Sequence, residues 1–232
     1  MIEKYDLQFK QNTGRDFGII MYDYPEIEQA KHNYMTYSIP GRDGELISSE
    51  DYRSNITVKC TFSVLSKRLM PKIREIKRWL SGTGRLKFTD TADAFYDVVK
   101  VEHDSIEREL RNYGKFSTIF TCYPYEFTIE GQYPRKPEEL WHNGYDECMP
   151  LYEIRGNGEC VLTVNGKNVS AIVHGNLTID SRLMLSYMAG NVLMNTSVTG
   201  KYEDLWLPHG DCSVAITKGF DLKITPRWGW KA

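Results

Sequence analysis

The sequence lacks the features that mark membrane, secreted and nucleic-acid-binding proteins. No apolar stretch approaches the ~20 residues that cross a bilayer, so no membrane-spanning helix is predicted. The sequence has five cysteines, an odd number, and they are scattered along the chain. This argues against a disulfide framework and fits a protein made in a reducing cytosol. The first residues lead directly into a strand pattern, so no secretion signal is expected. The 29 basic and 31 acidic residues give a net charge of −2, so neutralising a phosphate backbone is not expected to be the main task.

Patterns that carry catalytic, metal or cofactor chemistry are also missing from the sequence. Residues 82–85 (GTGR) lack the spacing and the Lys-Ser/Thr ending of a phosphate-binding loop. No serine lies in a nucleophile-elbow pattern. Residues 209–212 (HGDC) contain one possible pair of zinc ligands with no second pair nearby, and the five histidines are dispersed. We therefore predict that the chain is not an enzyme and binds no cofactor and no metal.

The composition that remains is that of a globular protein rich in sheet-forming and contact-forming residues. Hydrophobic residues make up 41% and charged residues 26% of the 232 positions, which excludes wholesale disorder. The 15 Tyr and 5 Trp suit broad sheets and protein contact surfaces, where an apolar ring carries a polar group. The length allows one large β fold or two small ones.

The clearest strand and the clearest helix follow one another in the first half. Residues 55–65 alternate apolar and polar side chains, which predicts a strand with one packed face in an antiparallel sheet. Residues 67–81 carry an apolar stripe at helical spacing, formed by Leu69, Ile73, Ile76 and Leu80. Trp79 falls beside the centre of this stripe, so we expect it at the rim of the helix contact.

Prolines mark a change in composition between residues 123 and 150, and we place the domain boundary there. The predicted organisation is an N-terminal domain over 1–130, a linker over 131–150 and a C-terminal domain over 151–232. Residues 156–158 (GNG) and 164–167 (VNGK) are predicted hairpin turns, because Gly and Asn tolerate positive φ. Short strands between turn signals predict a β-sandwich or jelly roll in this second domain.

Several segments, in their order along the chain, resemble the distal tail (Dit) family of long-tailed, non-contractile bacteriophages (siphoviruses). In the first half they are residues 39–44 (IPGRDG), 76–80 (IKRWL) with 84–88 (GRLKF) and the aromatic strand at Tyr96, and 120–125 (FTCYPY). In the second half they are residues 150–154 (PLYEI), 177–180 (LTID) and 224–228 (ITPRW). The resemblance covers nearly the whole chain.

The resemblance implies a mainly β fold and a structural role in a phage tail. The N-terminal part would be a β-sandwich or barrel-like domain with one packed helix that closes into a homo-hexameric ring. The C-terminal part would be a galectin-like β-sandwich, or jelly roll.

The implied location is the baseplate hub of the virion, at the distal end of the tail, after synthesis in the host bacterial cytoplasm. The implied partners are the tail tube protein, a tail-tip or tail-associated (Tal-like) protein and receptor-binding proteins. DNA would cross the channel only in transit, and no membrane would be bound.

One turn is a candidate subunit contact, and its residues are Gly41, Arg42, Asp43 and Gly44. Turn chemistry explains these residues by itself, because glycines fix a hairpin tip and an aspartate bonds local backbone. The alternative is a loop that touches a neighbouring subunit.

Three tryptophans, Trp206, Trp228 and Trp230, are candidates for a glycan or partner contact. The other interpretation is that they lie in a core or an interface, as tryptophans usually do. The alternative function is therefore a carbohydrate-binding module that contacts host cell-wall glycans. A wall-degrading glycosidase is a third hypothesis, since acidic residues are numerous, but their positions in the sequence give it no support.

Overall fold

The computed structural model describes residues 5–105 and 107–232. It divides into two compact units, which we call unit 1 and unit 2. Unit 1 comprises the described residues up to Glu126 together with Lys231 and Ala232, and unit 2 comprises Phe127–Trp230. The described residues are mostly in β-strands, with one α-helix, so the predicted mainly β fold with one packed helix is confirmed.

Unit 1 is built on a curled antiparallel sheet. Its strands are β1 (Leu7–Phe9), β2 (Asn12–Thr13), β3 (Ile19–Met21), β4 (Glu26–Ile27), β7 (Ile56–Leu65), β8 (Gly84–Phe88), β9 (Ala94–His103), β10 (Glu107–Leu110) and β11 (Tyr113–Thr128). Two further strands, β5 (His32–Ser38) and β6 (Glu45–Arg53), form a separate two-stranded sheet. The spatial order along the main sheet is β2-β1-β8-β9-β11-β7-β3.

Strand β7 has the single apolar face that its alternation predicts. It pairs antiparallel with β11 over ten residues, from Ile56 opposite Cys122 to Leu65 opposite Tyr113. Its inward side chains are fully buried; they are Ile56, Val58, Cys60, Phe62 and Val64. A slip of one residue would expose this whole apolar row to water, so burial fixes the register.

The helix α1 (Leu69–Trp79) covers this apolar face, and its predicted stripe is buried. The expectation that Trp79 lies at the rim was wrong. Its indole Nε1 donates a hydrogen bond to the Phe9 carbonyl at 3.1 Å, and the Phe17 ring stacks on it at 4.3 Å between centroids. Residues before the helix in sequence therefore cover its flank, which a stripe counted along the helix alone does not reveal.

Unit 2 is built around a long β-hairpin. Its strands are β12 (His142–Asn143), β13 (Leu151–Val164), β14 (Lys167–Asp180), β15 (Leu185–Met188), β16 (Val192–Leu193), β17 (Val198–Thr199), β18 (Gly210–Asp211), β19 (Val214–Ile216) and β20 (Asp221–Thr225). A last strand, β21 (Gly229–Lys231), leads from unit 2 into the final residues of unit 1. The hairpin pairs continuously from Leu151 opposite Asp180 to Val164 opposite Lys167.

Of the two predicted turns in this hairpin, one is confirmed and one is wrong. Asn165 (φ 47°) and Gly166 (φ 80°) join β13 to β14, as a type I′ turn requires. Residues 156–158 instead lie inside β13. A Cβ atom added to Gly156 would lie 2.3 Å from the Phe220 ring. This glycine therefore permits close packing against an aromatic side chain, which is the second common reason for glycine in a strand.

The segment 131–150, predicted as a linker, belongs to unit 2, where Leu140 and Cys148 are buried in the core. That the two units fold as independent domains stays a prediction. All five cysteines are buried free thiols. Within residues 5–105 and 107–232, no helix has the length and apolar character needed to cross a membrane.

Candidate interaction surfaces

The separate hairpin of unit 1, residues 32–53, is the first candidate surface, and we call it the arm. Its strands β5 and β6 pair with each other, from Tyr34 opposite Ser49 to Ser38 opposite Glu45, and within residues 5–105 and 107–232 they form a sheet apart from the main one. An isolated two-stranded hairpin is marginally stable in water, because it has no packed layer beneath it. The described part of unit 1 therefore gives the arm little support from the main sheet.

Large apolar side chains are exposed on both faces of the arm; they are Tyr34, Met35, Tyr37, Ile39, Leu46 and Ile47. Ile47 lies opposite Thr36 and shares its face, whereas Leu46 lies opposite Tyr37 on the other face. Ile47 is 63% exposed. An apolar surface on an unsupported strand pair is typical of a segment that another protein chain covers.

The structure places Gly41, Arg42, Asp43 and Gly44 together at the exposed tip of the arm. The Arg42 N–H donates to the Ile39 carbonyl at 3.1 Å, and Gly41 has φ 81°. The four residues from Ile39 to Arg42, with Pro40 second and Gly41 third, therefore form a type II turn, which needs a glycine at its third position. Turn chemistry thus accounts for Gly41, and a contact of this tip with a neighbouring subunit stays a prediction.

The three tryptophans that the sequence singles out have different environments in unit 2. Trp206 is half-buried, and its Nε1 donates to the Ser181 carbonyl at 3.4 Å. Trp228 is only 8% exposed, whereas Trp230 is 42% exposed. Trp228 and Trp230 both contact the ring of Tyr145, with centroids 5.7 and 5.0 Å apart. The structure therefore brings two of the three together.

Sequence reasoning missed Trp141, which is 72% exposed. Its ring lies 5.7 Å from that of His142, and the His142 ring lies 6.4 Å from that of His209. The His209 Nδ1 is 2.8 Å from the Tyr145 carbonyl, which continues the row to Trp230. We call Trp141, His142, His209, Tyr145 and Trp230 the aromatic strip. No periodicity in the sequence marks these residues, because they come from three separate segments.

A carboxylate lies beside the aromatic strip. The His142 Nδ1 is 3.2 Å from Asp211 Oδ1, and the Asp211 side chain is 97% exposed. The two residues are directly paired in the short ribbon that β12 and β18 form. The strip thus combines flat rings with a hydrogen-bonding carboxylate on the same ribbon.

Asn143 fixes the ribbon from below. This residue is almost fully buried, and its Nδ2 lies 2.9–3.2 Å from the carbonyl oxygens of Asp146, Leu207 and Pro208. Its Oδ1 accepts the Tyr145 N–H at 3.0 Å. Because one buried amide bonds two backbone segments, at residues 145–146 and 207–208, the exposed rings above it start from a well-fixed backbone.

A buried ion pair fixes the backbone next to Trp228. Arg227 donates through both terminal nitrogens to the two carboxylate oxygens of Asp180, each at 2.7 Å. Asp180 also accepts the N–H groups of Arg182 and Leu183 at 3.1 Å. Burial by itself raises the pKa of Asp180, but the hydrogen bonds and the charge of Arg227 outweigh it and hold the pKa below its ordinary value.

The described residues contain no group of three or more His, Cys, Asp or Glu side chains that is arranged to hold a metal ion. Two surfaces stand out among the described residues. One is mixed aliphatic and aromatic on an unsupported hairpin, and the other is aromatic and polar on a fixed ribbon.

No protein-family model and no curated protein matches the chain. A comparison with solved structures nevertheless shows a likeness to a phage hub protein over nearly the full length of the chain. That structure is the SPP1 Dit protein (gp 19.1), described as a paradigm of the hub adsorption apparatus in phages that infect Gram-positive bacteria. The TM-score is 0.67 at 12% sequence identity, over 96% of this chain and 98% of that chain. The predicted resemblance to Dit is thereby confirmed for the fold.

Proposed function

We propose that this chain is a structural, non-catalytic distal tail protein of a bacteriophage. Six copies form a ring at the distal end of the tail, in the baseplate hub of the virion. The ring joins the tail tube to the tail-tip or Tal-like protein and to the receptor-binding proteins, and DNA passes through its channel. Unit 2 is the galectin-like part of the subunit.

The likeness to SPP1 Dit carries this proposal. It extends over nearly the whole of both chains, so it includes unit 1 and unit 2 in the same order. A match of one sandwich alone would be weak support, since β-sandwiches serve many unrelated functions. The likeness of the complete two-unit chain is more specific.

The arm supports the ring by a separate physical argument. Its exposed apolar side chains and its lack of a packed layer favour burial against another subunit. In a closed ring, each subunit presents its arm to the next subunit in the same way. One repeated contact therefore covers every arm. We therefore expect the arm to be the main contact between copies.

The mass of the purified protein in solution tests the proposal, by light scattering after size separation. We expect the mass of six chains, or one chain that becomes six when the tail tube and tip proteins are added. The double substitution Leu46→Ser, Ile47→Ser removes one apolar side chain from each face of the arm, and it should reduce the hexamer to single chains. The circular dichroism spectrum should not change, because both residues are already exposed.

Leu65→Ser is the matched control, since Leu65 is also exposed in unit 1 but lies at the end of β7, outside the arm. It should leave the hexamer intact. Arg42→Ala tests the tip separately, and loss of the hexamer with an unchanged spectrum would support the tip as a contact. A protein that remains a single chain beside its tube and tip proteins would contradict the proposal.

A further inference from the structure

We propose that unit 2 binds a glycan along the aromatic strip. The rings of Trp141 and Trp230 stack on the apolar faces of sugar rings. The side chains of Asp211 and His142 exchange hydrogen bonds with sugar hydroxyl groups. All residues of this site lie in unit 2.

The first argument is the combination of exposure with rigidity. Trp141 leaves 72% of its surface in water, although a tryptophan ring gains more from burial than most side chains. Its backbone is held in place, because its carbonyl accepts the Cys212 N–H at 3.0 Å and the ribbon rests on the buried Asn143. An exposed ring on a fixed backbone is prepared for a contact, because the backbone beneath it need not be ordered on binding.

The second argument is the chemistry of the strip, which separates a sugar from a protein partner. The arm exposes Met35, Leu46 and Ile47, the irregular aliphatic surface of a protein contact. The strip instead consists of rings, with a carboxylate beside them. A sugar ring has a flat face of C–H groups and a rim of hydroxyl groups. Flat aromatic rings next to hydrogen-bonding side chains complement both parts of it.

The third argument is the open carboxylate beside the aromatic strip. Asp211 is 97% exposed at its side chain, and its Oδ1 lies 3.2 Å from the His142 Nδ1. A carboxylate has about four acceptor positions. The remaining positions of Asp211 are available to sugar hydroxyl groups, and hydrogen bonds to a charged acceptor are the stronger kind.

The experiment uses the full chain on an array of bacterial cell-wall oligosaccharides, followed by calorimetric titration with the oligosaccharide that binds best on the array. We expect binding by the unaltered protein. Trp141→Ala should weaken it by about tenfold or more, because a stacking contact is lost. Asp211→Asn keeps the shape of the side chain and should weaken binding by several-fold, through loss of the charge-assisted hydrogen bonds.

Tyr133→Ala is the matched control, because Tyr133 is an exposed aromatic residue of unit 2 outside the strip. It should bind like the unaltered protein, and Trp141→Tyr should recover part of the affinity lost in Trp141→Ala. Near-ultraviolet circular dichroism verifies that each variant is folded.

Absence of binding to every oligosaccharide of the array would overturn the proposal. So would a glycan whose affinity is unchanged by Trp141→Ala, or a tail protein that binds at the strip when no glycan does. None of these results concerns the mass of the assembly, so failure here and failure of the proposed ring are distinguishable.

Discussion

The described part of the chain contains two separate two-stranded sheets, and they differ in the contacts that hold them in place. The arm has strands of seven and nine residues, whereas the ribbon of β12 and β18 has two residues in each strand. The shorter one is the better fixed, because the buried Asn143 amide ties it to three backbone carbonyl groups. The stiffness of a ribbon therefore depends more on what lies beneath it than on the length of its hydrogen-bonded ladder.

The same difference separates the two proposed contacts. The arm exposes apolar side chains on both faces, and no layer of the described residues is seen to cover them, so burial against another subunit would stabilise it. The aromatic strip is already fixed within unit 2 and presents its rings and its carboxylate without rearrangement. A protein partner suits the first surface, and a small, polar ligand suits the second.

The largest expected effect comes from Asp180→Asn, which tests whether buried polar networks hold unit 2. The substitution leaves the buried Arg227 guanidinium without its counter-charge, and we expect a loss of about 3–5 kcal/mol in the free energy of unfolding. Urea unfolding followed by tryptophan fluorescence measures it, because four of the five tryptophans lie in unit 2. The arm should be unaffected, so hexamer formation by the folded protein should persist.

This ion pair also makes the stability of unit 2 depend on pH, and the pKa shift of Asp180 gives the sign of that dependence. The pKa of Asp180 lies below the ordinary 3.8, since the bonds and charge of Arg227 outweigh the opposing effect of burial. The ion pair therefore stabilises unit 2 fully above about pH 4. This stabilisation is lost as the pH falls through the lower pKa that Asp180 has in the folded state. Asp221→Asn, at an exposed carboxylate of the same unit, should change neither the stability nor its pH dependence. An equal loss in both variants would contradict the role of the ion pair.

A smaller effect is expected from Asn143→Leu, which tests the support beneath the ribbon. The substitution keeps the number and branching of the side-chain heavy atoms but leaves the carbonyl groups of Leu207 and Pro208 and the Tyr145 N–H without this partner. We expect a loss of about 2–4 kcal/mol in unfolding free energy, measured by the same urea titration. Asn168→Leu, at an exposed asparagine of β14, is the control and should lie within about 0.5 kcal/mol of the unaltered protein. If Asn143→Leu were neutral, the ribbon would have no greater support than the arm.

The smallest expected effects come from one substitution on the buried strand β7 and one on the exposed arm. Ile56 on β7 is fully buried, and Ile47 on the arm is 63% exposed. Replacement by Val keeps the branched Cβ and removes one methylene group, so we expect a loss of about 0.5–1.5 kcal/mol for Ile56→Val. For Ile47→Val we expect a change of less than about 0.3 kcal/mol in the single chain. Urea unfolding at a concentration where the protein is a single chain measures both, and equal losses would show that the arm is covered within its own subunit.

Features that depend on neighbouring positions in the chain could be predicted from the sequence. The alternation of Ile56 to Val64, the stripe of α1 and the Asn165-Gly166 turn are of this kind, and the structure contains each of them. Strand β6 was not predicted, because Leu46 and Ile47 are adjacent and break the alternation. In the structure both side chains are exposed, on opposite faces of the arm.

Features that depend on distant residues were predicted wrongly or not at all. Gly156 carries the same turn signal as Gly166, yet the Phe220 ring, more than sixty positions away, explains it. Trp79 is buried by Phe9 and Phe17, and Trp141 is exposed, although both are tryptophans beside apolar residues. The aromatic strip joins residues near positions 141, 209 and 230, and no local pattern connects them.

The sequence by itself determined the apolar face of β7, the stripe of α1 and the turn at Asn165 and Gly166, because side-chain periodicity and turn conformations arise between nearby residues. Only the tertiary structure decided which apolar faces are covered, since covering a face requires a surface from elsewhere in the chain. In this protein that decision separates β7 and α1, which form a core, from the arm and the aromatic strip, which remain open for other molecules.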